Sequence, residues 1–142
     1  MLAEGNKAVV LQMIEEGWND HNLDHIDEVV SSKYFNHMAV PEHQHGIAGA
    51  RHIVEWLVAA FPDTHFDIED AVADGDMVAV RGTASGTHEG EFMGIAPTGR
   101  HFAVQHVHWF RVAGGKVAEH WAVRDDLGMM RQLDMLPEPG GA

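Results

Sequence analysis

Residues 102–124 read FAVQHVHWFRVAGGKVAEHWAVR, where two glycines at positions 114 and 115 separate two runs rich in β-branched and aromatic side chains. Such runs are typical of β-strands, and a glycine pair between them is typical of a tight hairpin turn. We therefore predict a long strand over residues 102–112 and an antiparallel partner strand from residue 116 to about residue 124.

Side chains of a β-strand point alternately to its two faces, and this alternation gathers histidines on one face of the hairpin. His106 and His108 share a face of the first strand, and His120 on the partner strand is expected to face them. Trp109 and Trp121 fall on the opposite face, where they are candidates for a core or dimer contact. The histidine face is therefore the one predicted to line a cavity.

The segments around this hairpin predict helices first and strands later, which is the pattern of an α+β domain. The domain is expected to span residues 1–136, with helices on one face of a strongly curved antiparallel sheet and a pocket between them. Residues 137–142 are expected to form a frayed tail. The predicted helices cover residues 6–18 with Asn6 as the N-cap, residues 23–30, residues 47–61 and residues 127–133, and a further strand covers residues 77–88.

Composition excludes several classes of function. The 142 residues include 9 Lys and Arg against 22 Asp and Glu, a formal net charge of −13, so we expect neither nucleic acid nor anionic membranes as partners. The absence of cysteine excludes disulfides, thiol catalysis and cysteine-ligated zinc. No apolar stretch approaches the roughly 20 residues of a membrane span, and the N-terminal residues do not resemble a signal peptide, so a cytoplasmic protein is expected.

Several stretches resemble the SnoaL-like polyketide cyclases, also called the ester cyclase family, of the nuclear transport factor 2-like superfamily. The resemblance extends over nearly the whole chain, through Asn19 after Trp18, the Tyr34-Phe35-Asn36 element and Phe61-Pro62-Asp63. The most specific matches are GTHEGEFMGIAPTGR at residues 86–100, VHWFR at residues 107–111, GKVAEHW at residues 115–121 and DLGMMRQL at residues 126–133.

This resemblance implies a cone-shaped α+β fold and a homodimer formed through the outer face of the sheet. It also implies an activity: the characterised cyclases close the last ring of aromatic polyketide methyl esters by an intramolecular aldol reaction, without a metal or cofactor. They use an aspartate as the acid/base in an apolar pocket. The implied partner is accordingly a small apolar molecule.

When the site residues of those cyclases are matched to this sequence one by one, one of them, the catalytic aspartate, has no counterpart. Asn36 and His108 correspond to the pocket asparagine and histidine, and His106 stands where those cyclases carry a glutamine. Ala122 stands where they carry the catalytic aspartate, and an alanine cannot move a proton. The resemblance therefore implies the scaffold more strongly than the cyclase reaction.

We expect His108 to be the acid/base, because an imidazole titrates near neutral pH without special tuning. Asn36 and His106 are expected to position or polarise a substrate carbonyl. Asp125 is predicted to be an auxiliary proton acceptor at the pocket mouth, and Asp126 to be the N-cap of the last helix.

Further substrate contacts are expected from His37, His120 and Ala122, and from Phe92 and Met93, which lie in a glycine-rich segment suited to a gate over the cavity. The three strand histidines could instead hold a zinc ion or simply form a polar lining, and the resemblance favours a metal-free site. The remaining cluster, His43 and His45, is predicted to be solvated loop.

The sequence thus predicts a protein that binds an apolar carbonyl compound in an internal pocket, with aldol-type acid/base catalysis that needs no cofactor. One alternative is a non-catalytic module that holds a hydrophobic metabolite. Another is a hydrolase or a cofactor-independent hydroxylase on the same scaffold, since one fold supports several chemistries.

Overall fold

The computed structural model describes residues 2–136, so the tail predicted at residues 137–142 lies outside the described residues. Four α-helices, one π-helical segment and one short 3-10 turn surround a single sheet. They are α1 (Leu2–Gln12), the π-helical segment (Met13–Asn19), α2 (Leu23–Val29), the 3-10 turn (Pro41–His43), α3 (Gly46–Ala60) and α4 (Asp126–Gln132).

The sheet has five strands in the order β1-β5-β4-β3-β2. The predicted hairpin is confirmed, because β4 and β5 pair antiparallel with Trp109 directly opposite Trp121. The sheet is not wholly antiparallel, since β1 pairs parallel with β5. The α+β fold with helices on one face of a curved sheet is confirmed. The strands are β1 (Val30–Asn36), β2 (His65–Asp74), β3 (Met77–Thr87), β4 (His101–Ala113) and β5 (Lys116–Arg124).

The hydrophobic core lies in two clusters that flank the histidines of β4. The larger cluster joins the first two helices and α3 to the sheet and includes Val10, Ile14, Ile26, Val54, Val80 and Phe110. The smaller cluster closes the other end of the sheet and includes Phe61, Phe92, Phe102 and Leu133. The concave face between the two clusters is therefore held open by packed elements on both sides.

The start of the first helix differs from the prediction. α1 begins at Leu2, and Asn6 lies inside it and is buried. Its side-chain Nδ2 donates to the carbonyl oxygen of Gly75, 3.0 Å away in the β2–β3 turn. The predicted N-cap at Asn6 was wrong because a buried tertiary hydrogen bond satisfies this amide.

The glycine-rich segment after β3 is fixed to the end of α3. The backbone amides of Glu89 and Gly90 each donate to the carbonyl oxygen of Ala60 at 3.0 Å. A side chain at Gly90 would collide with the backbone of Ala59, so only glycine allows this close approach. The approach brings the ring of Phe92 into the smaller core cluster, where it is buried.

The outer face of the sheet carries exposed apolar side chains. Trp109 is 46% exposed and Val123 is 74% exposed. The predicted dimer across this face stays a prediction. No helix among residues 2–136 is both long enough and apolar enough to span a membrane.

Candidate active site

A cavity of about 650 Å³ opens between the helices and the concave face of the sheet. This volume lies in the range of pockets that enclose drug-sized ligands. Most of the lining is apolar, and histidines supply most of its polar groups. The lining includes Trp18, Phe66, Phe92, Met93, Phe102, Met129 and Met130, together with Asn36, His43, His52, His106, His108, His120, Arg124 and Asp126.

Three imidazoles form a hydrogen-bonded row on the sheet side of this cavity. His106 Nδ1 lies 3.2 Å from His108 Nε2, and both residues are on β4. His108 Nδ1 lies 2.8 Å from Nε2 of His120, which β5 supplies. The row ends at Asn36 of β1, whose Oδ1 lies 2.9 Å from His120 Nδ1. The parallel pairing of β1 with β5, which places Asn36 opposite His120, makes this last contact possible.

The electrostatic surroundings keep all three imidazoles neutral at pH 7. Burial, assisted by the positive charge of Arg124, lowers the pKa of His106 to about 4 and that of His120 to about 3. Burial, with the neighbouring His120 as the next cause, also holds the pKa of His108 well below its ordinary value. Each of the three imidazoles therefore carries no positive charge at pH 7 and has one bare ring nitrogen.

Trp18 packs against the row from the helical side. Its ring meets the ring of His108 edge-on, with centroids 4.9 Å apart. The next residue, Asn19, fixes this position through two hydrogen bonds to the backbone of Phe66 on β2: Nδ2 donates to the carbonyl oxygen at 2.9 Å, and the amide donates to Oδ1 at 2.8 Å. Asn19 thus ties the π-helical segment to the sheet beside the histidines.

Replacing Asn19 with alanine is expected to reduce the free energy of unfolding by roughly 2–3 kcal/mol, because both backbone groups of Phe66 lose their partner. The matched control is Asn22→Ala, which removes the exposed N-cap of α2 and should cost only about 1 kcal/mol. Urea denaturation of both variants makes the comparison. Equal losses would show that Asn19 is no more than a surface cap.

The two consecutive aspartates after β5 lie at the reverse of their predicted positions. Asp125 is the N-cap of α4, because its Oδ1 accepts from the amide of Gly128 at 2.8 Å. Asp126 was predicted to be this cap and is instead on the cavity rim, where its carboxylate lies 3.3 Å from Nη2 of Arg124. Asp125 does not line the cavity.

His37 and Ala122 also lie off the lining. The Nε2 atom of His37 is 2.6 Å from the carboxylate of Glu119, and its ring stacks on Trp121 at a centroid distance of 4.7 Å. Both neighbours belong to the opposite face of β5, which explains why His37 turns away from the cavity. Ala122 is the residue of β5 directly opposite His108.

Phe92 and Met93 both reach the cavity, with very different exposure. Phe92 is 4% exposed and packs on Phe61 with ring centroids 5.0 Å apart, whereas Met93 is 65% exposed. Met93 also has a positive φ of 52°, which is uncommon for a residue with a side chain. Phe92 is therefore a wall of the cavity, and only Met93 is exposed enough to act as a gate.

Sequence reasoning missed several lining residues. His43, predicted to be solvated, is half-buried and stacks on His52 of α3 at a centroid distance of 3.5 Å, whereas His45 is exposed as predicted. Arg124 was overlooked as well, although it lies directly opposite His106 in the β4–β5 ladder. Continuing the strand alternation to the last residue of β5 would have indicated Arg124.

The described part of the chain, residues 2–136, contains no group of three or more histidines and carboxylates arranged to hold a metal ion. In the histidine row the ring nitrogens face one another at hydrogen-bond distance, so they do not converge on a common point.

The fold and the site together define a class of protein: a small α+β domain with an apolar internal cavity and a row of neutral histidines along its sheet. A model of the SnoaL-like polyketide cyclase family matches residues 8–133. The chain belongs to this family.

Individual relatives agree with this assignment. The chain is 29% identical over 137 residues to aklanonic acid methyl ester cyclase DnrD of Streptomyces peucetius, covering 93% of this chain and 94% of the relative. It is 29% identical over 127 residues to nogalonic acid methyl ester cyclase of Streptomyces nogalater, covering 87% and 95%. Among solved structures, TsrD from Streptomyces laurentii superposes with a TM-score of 0.82 at 31% identity, covering 92% of this chain and 98% of TsrD.

Proposed function

We propose that this protein binds an apolar polyketide-like carbonyl compound in its cavity and closes a ring by an intramolecular aldol reaction. The observation that carries the proposal is the row of neutral imidazoles along an apolar cavity of about 650 Å³. Two relatives that match most of the chain are named as methyl ester cyclases, which supports a polyketide methyl ester as the substrate.

The walls of the cavity suit a flat aromatic ligand. Trp18 and Phe66 lie on one side, and Phe92 and Phe102 on another, so several aromatic faces and edges are available. An apolar environment also strengthens each electrostatic interaction within it, because little water remains to screen charge. A ligand held there would meet the imidazole row with its polar groups largely desolvated.

The cavity also contains a positively charged group that could stabilise the negative charge formed in such a reaction. Proton removal next to a carbonyl places negative charge on the carbonyl oxygen. Arg124 is the one lysine or arginine among the described residues that line the cavity, and it neighbours His106. Its guanidinium is therefore suited to stabilise the enolate oxygen, and Asp126 holds that guanidinium at the rim.

The direct test is ring closure of an aromatic polyketide methyl ester with a β-keto ester side chain, followed by chromatography and mass spectrometry. An aldol closure without loss of water gives a product of the same mass with a different retention time. We expect turnover by the purified protein and none beyond the background rate by heat-denatured protein. A background rate with native protein would refute the proposed activity.

A second candidate is a non-catalytic module that retains a hydrophobic metabolite, and Ala122 favours it, because the resemblance places the catalytic aspartate of the cyclases at that position. Mass spectrometry of the purified protein before and after denaturation separates the two. A stoichiometric released ligand, together with no ring closure, would favour the binding module.

A further inference from the structure

The hydrogen bonds of the imidazole row have a fixed direction, and Asn36 sets it. Its Oδ1 accepts from the amide of Met38 at 2.9 Å and lies 2.9 Å from His120 Nδ1. The atom beside the backbone N–H of Met38 has to be the amide oxygen of Asn36. If the amide were turned over, its NH2 group would face that N–H and two donors would meet. An oxygen there can only accept, so His120 must donate from Nδ1.

The proton positions of the other two histidines follow from this one. A neutral imidazole carries one N–H, so His120 with its proton on Nδ1 has a bare Nε2 that accepts from His108 Nδ1 at 2.8 Å. His108 then has a bare Nε2, which accepts from His106 Nδ1 at 3.2 Å. All three rings therefore hold their proton on Nδ1, and both nitrogens of His108 are engaged.

This order leaves one nitrogen of the row, Nε2 of His106, as a bare lone pair without a partner among residues 2–136. His106 also lines the cavity and is only half-buried, whereas His108 and His120 are each 6% exposed. We propose that His106 Nε2, not His108, is the proton acceptor of the site, and that Asn36 is the positioning residue that presents it in the basic tautomer. This inference rests on the proposed function for its catalytic part.

The proton balance of an aldol closure can be completed by this one nitrogen. His106 Nε2 takes the proton of the C–H bond next to a carbonyl, and the electron pair of that bond forms the enolate. The enolate carbon attacks the second carbonyl carbon, a C–C bond forms, and the π pair moves to oxygen as an alkoxide. The alkoxide takes the proton back from His106 Nε2, so no oxidant or reductant is needed. While His106 is protonated, its Nδ1–H still donates to Nε2 of His108, so the ring keeps its position.

The tautomers can be measured without any substrate. Histidine labelled with ¹⁵N distinguishes protonated from bare ring nitrogens, and neutral histidine in water favours the proton on Nε2. We expect Nδ1–H signals from His106, His108 and His120 at pH 7. In Asn36→Leu the preference at His120 should be lost, and in Asn36→Asp, which keeps an acceptor oxygen in place, it should be retained. A proton on Nε2 of His106 in the wild type would overturn the proposal.

Activity provides the second measurement. In His106→Gln, an amide that cannot accept the proton, we expect kcat for ring closure to fall about 100-fold or more while KM changes by less than about threefold. A His106→Gln variant with the kcat of the wild type would overturn the proposal. If the wild type closes no ring and the ¹⁵N signals are as expected, the proposed function fails, while the order of the tautomers stands.

Discussion

Lowering the pH from 7 to 5 should destabilise the wild type by about 2 kcal/mol more than the His106→Gln variant, and by about 2 kcal/mol more than His120→Gln. In the folded protein the pKa of His106 is about 4 and that of His120 about 3. In the unfolded chain a histidine titrates near 6.5. Between pH 6.5 and pH 5 the unfolded state therefore gains a proton on each residue that the folded state refuses. Stability is lost as the pH falls through the unfolded value, so the contribution has the opposite sign to that of a salt-bridged histidine.

The measurement is urea denaturation of each protein at pH 7 and at pH 5, compared as the difference between the two pH values. This comparison removes the effect that each substitution has at neutral pH. His65→Gln, at an exposed position, is the matched control and should show the same pH dependence as the wild type. If His106→Gln and the wild type lose equal free energy, the imidazole row is not held neutral by burial.

The sequence was sufficient to predict the hairpin and the face on which its histidines lie, because a two-residue period depends only on local geometry. His106, His108 and His120 accordingly line one cavity, as the alternation predicted. Helix-capping preference, by contrast, gave wrong assignments at Asn6 and at the two aspartates where α4 begins. A capping preference cannot distinguish Asp125 from Asp126 until the angle at which the chain enters the helix is known.

The direction of the histidine row was not accessible from sequence for a different reason. It depends on Asn36, which is 84 positions from His120 in the chain and reaches it only because β1 pairs parallel with β5. No local sequence pattern predicts that β1 pairs parallel with β5, the second strand of the hairpin. His108 was predicted to be the acid/base from its residue type and its strand face, but neither property reveals that both of its ring nitrogens are hydrogen-bonded.

Replacing Ala122 with aspartate is expected to raise kcat for ring closure at pH 7 by about tenfold or more. Ala122 lies directly opposite His108, so the new carboxylate would stand beside the imidazole row. Its negative charge should raise the pKa of His106 and His108 towards their ordinary values. His106 Nε2, the proposed proton acceptor, would then be a stronger base. Partial burial would also raise the pKa of the carboxylate itself, so it could take the proton directly.

The neutral isostere Ala122→Asn is the control and should leave kcat unchanged, because it adds bulk without charge. The double variant Ala122→Asp with His106→Gln separates the two routes: retained activity shows that the carboxylate accepts the proton itself, whereas lost activity shows that it acts through His106. An aspartate variant no faster than the asparagine variant would contradict the prediction. Turnover by the aspartate variant alone would mean that the scaffold binds a cyclase substrate but has lost its base, and His106 would then have no catalytic role in the natural protein.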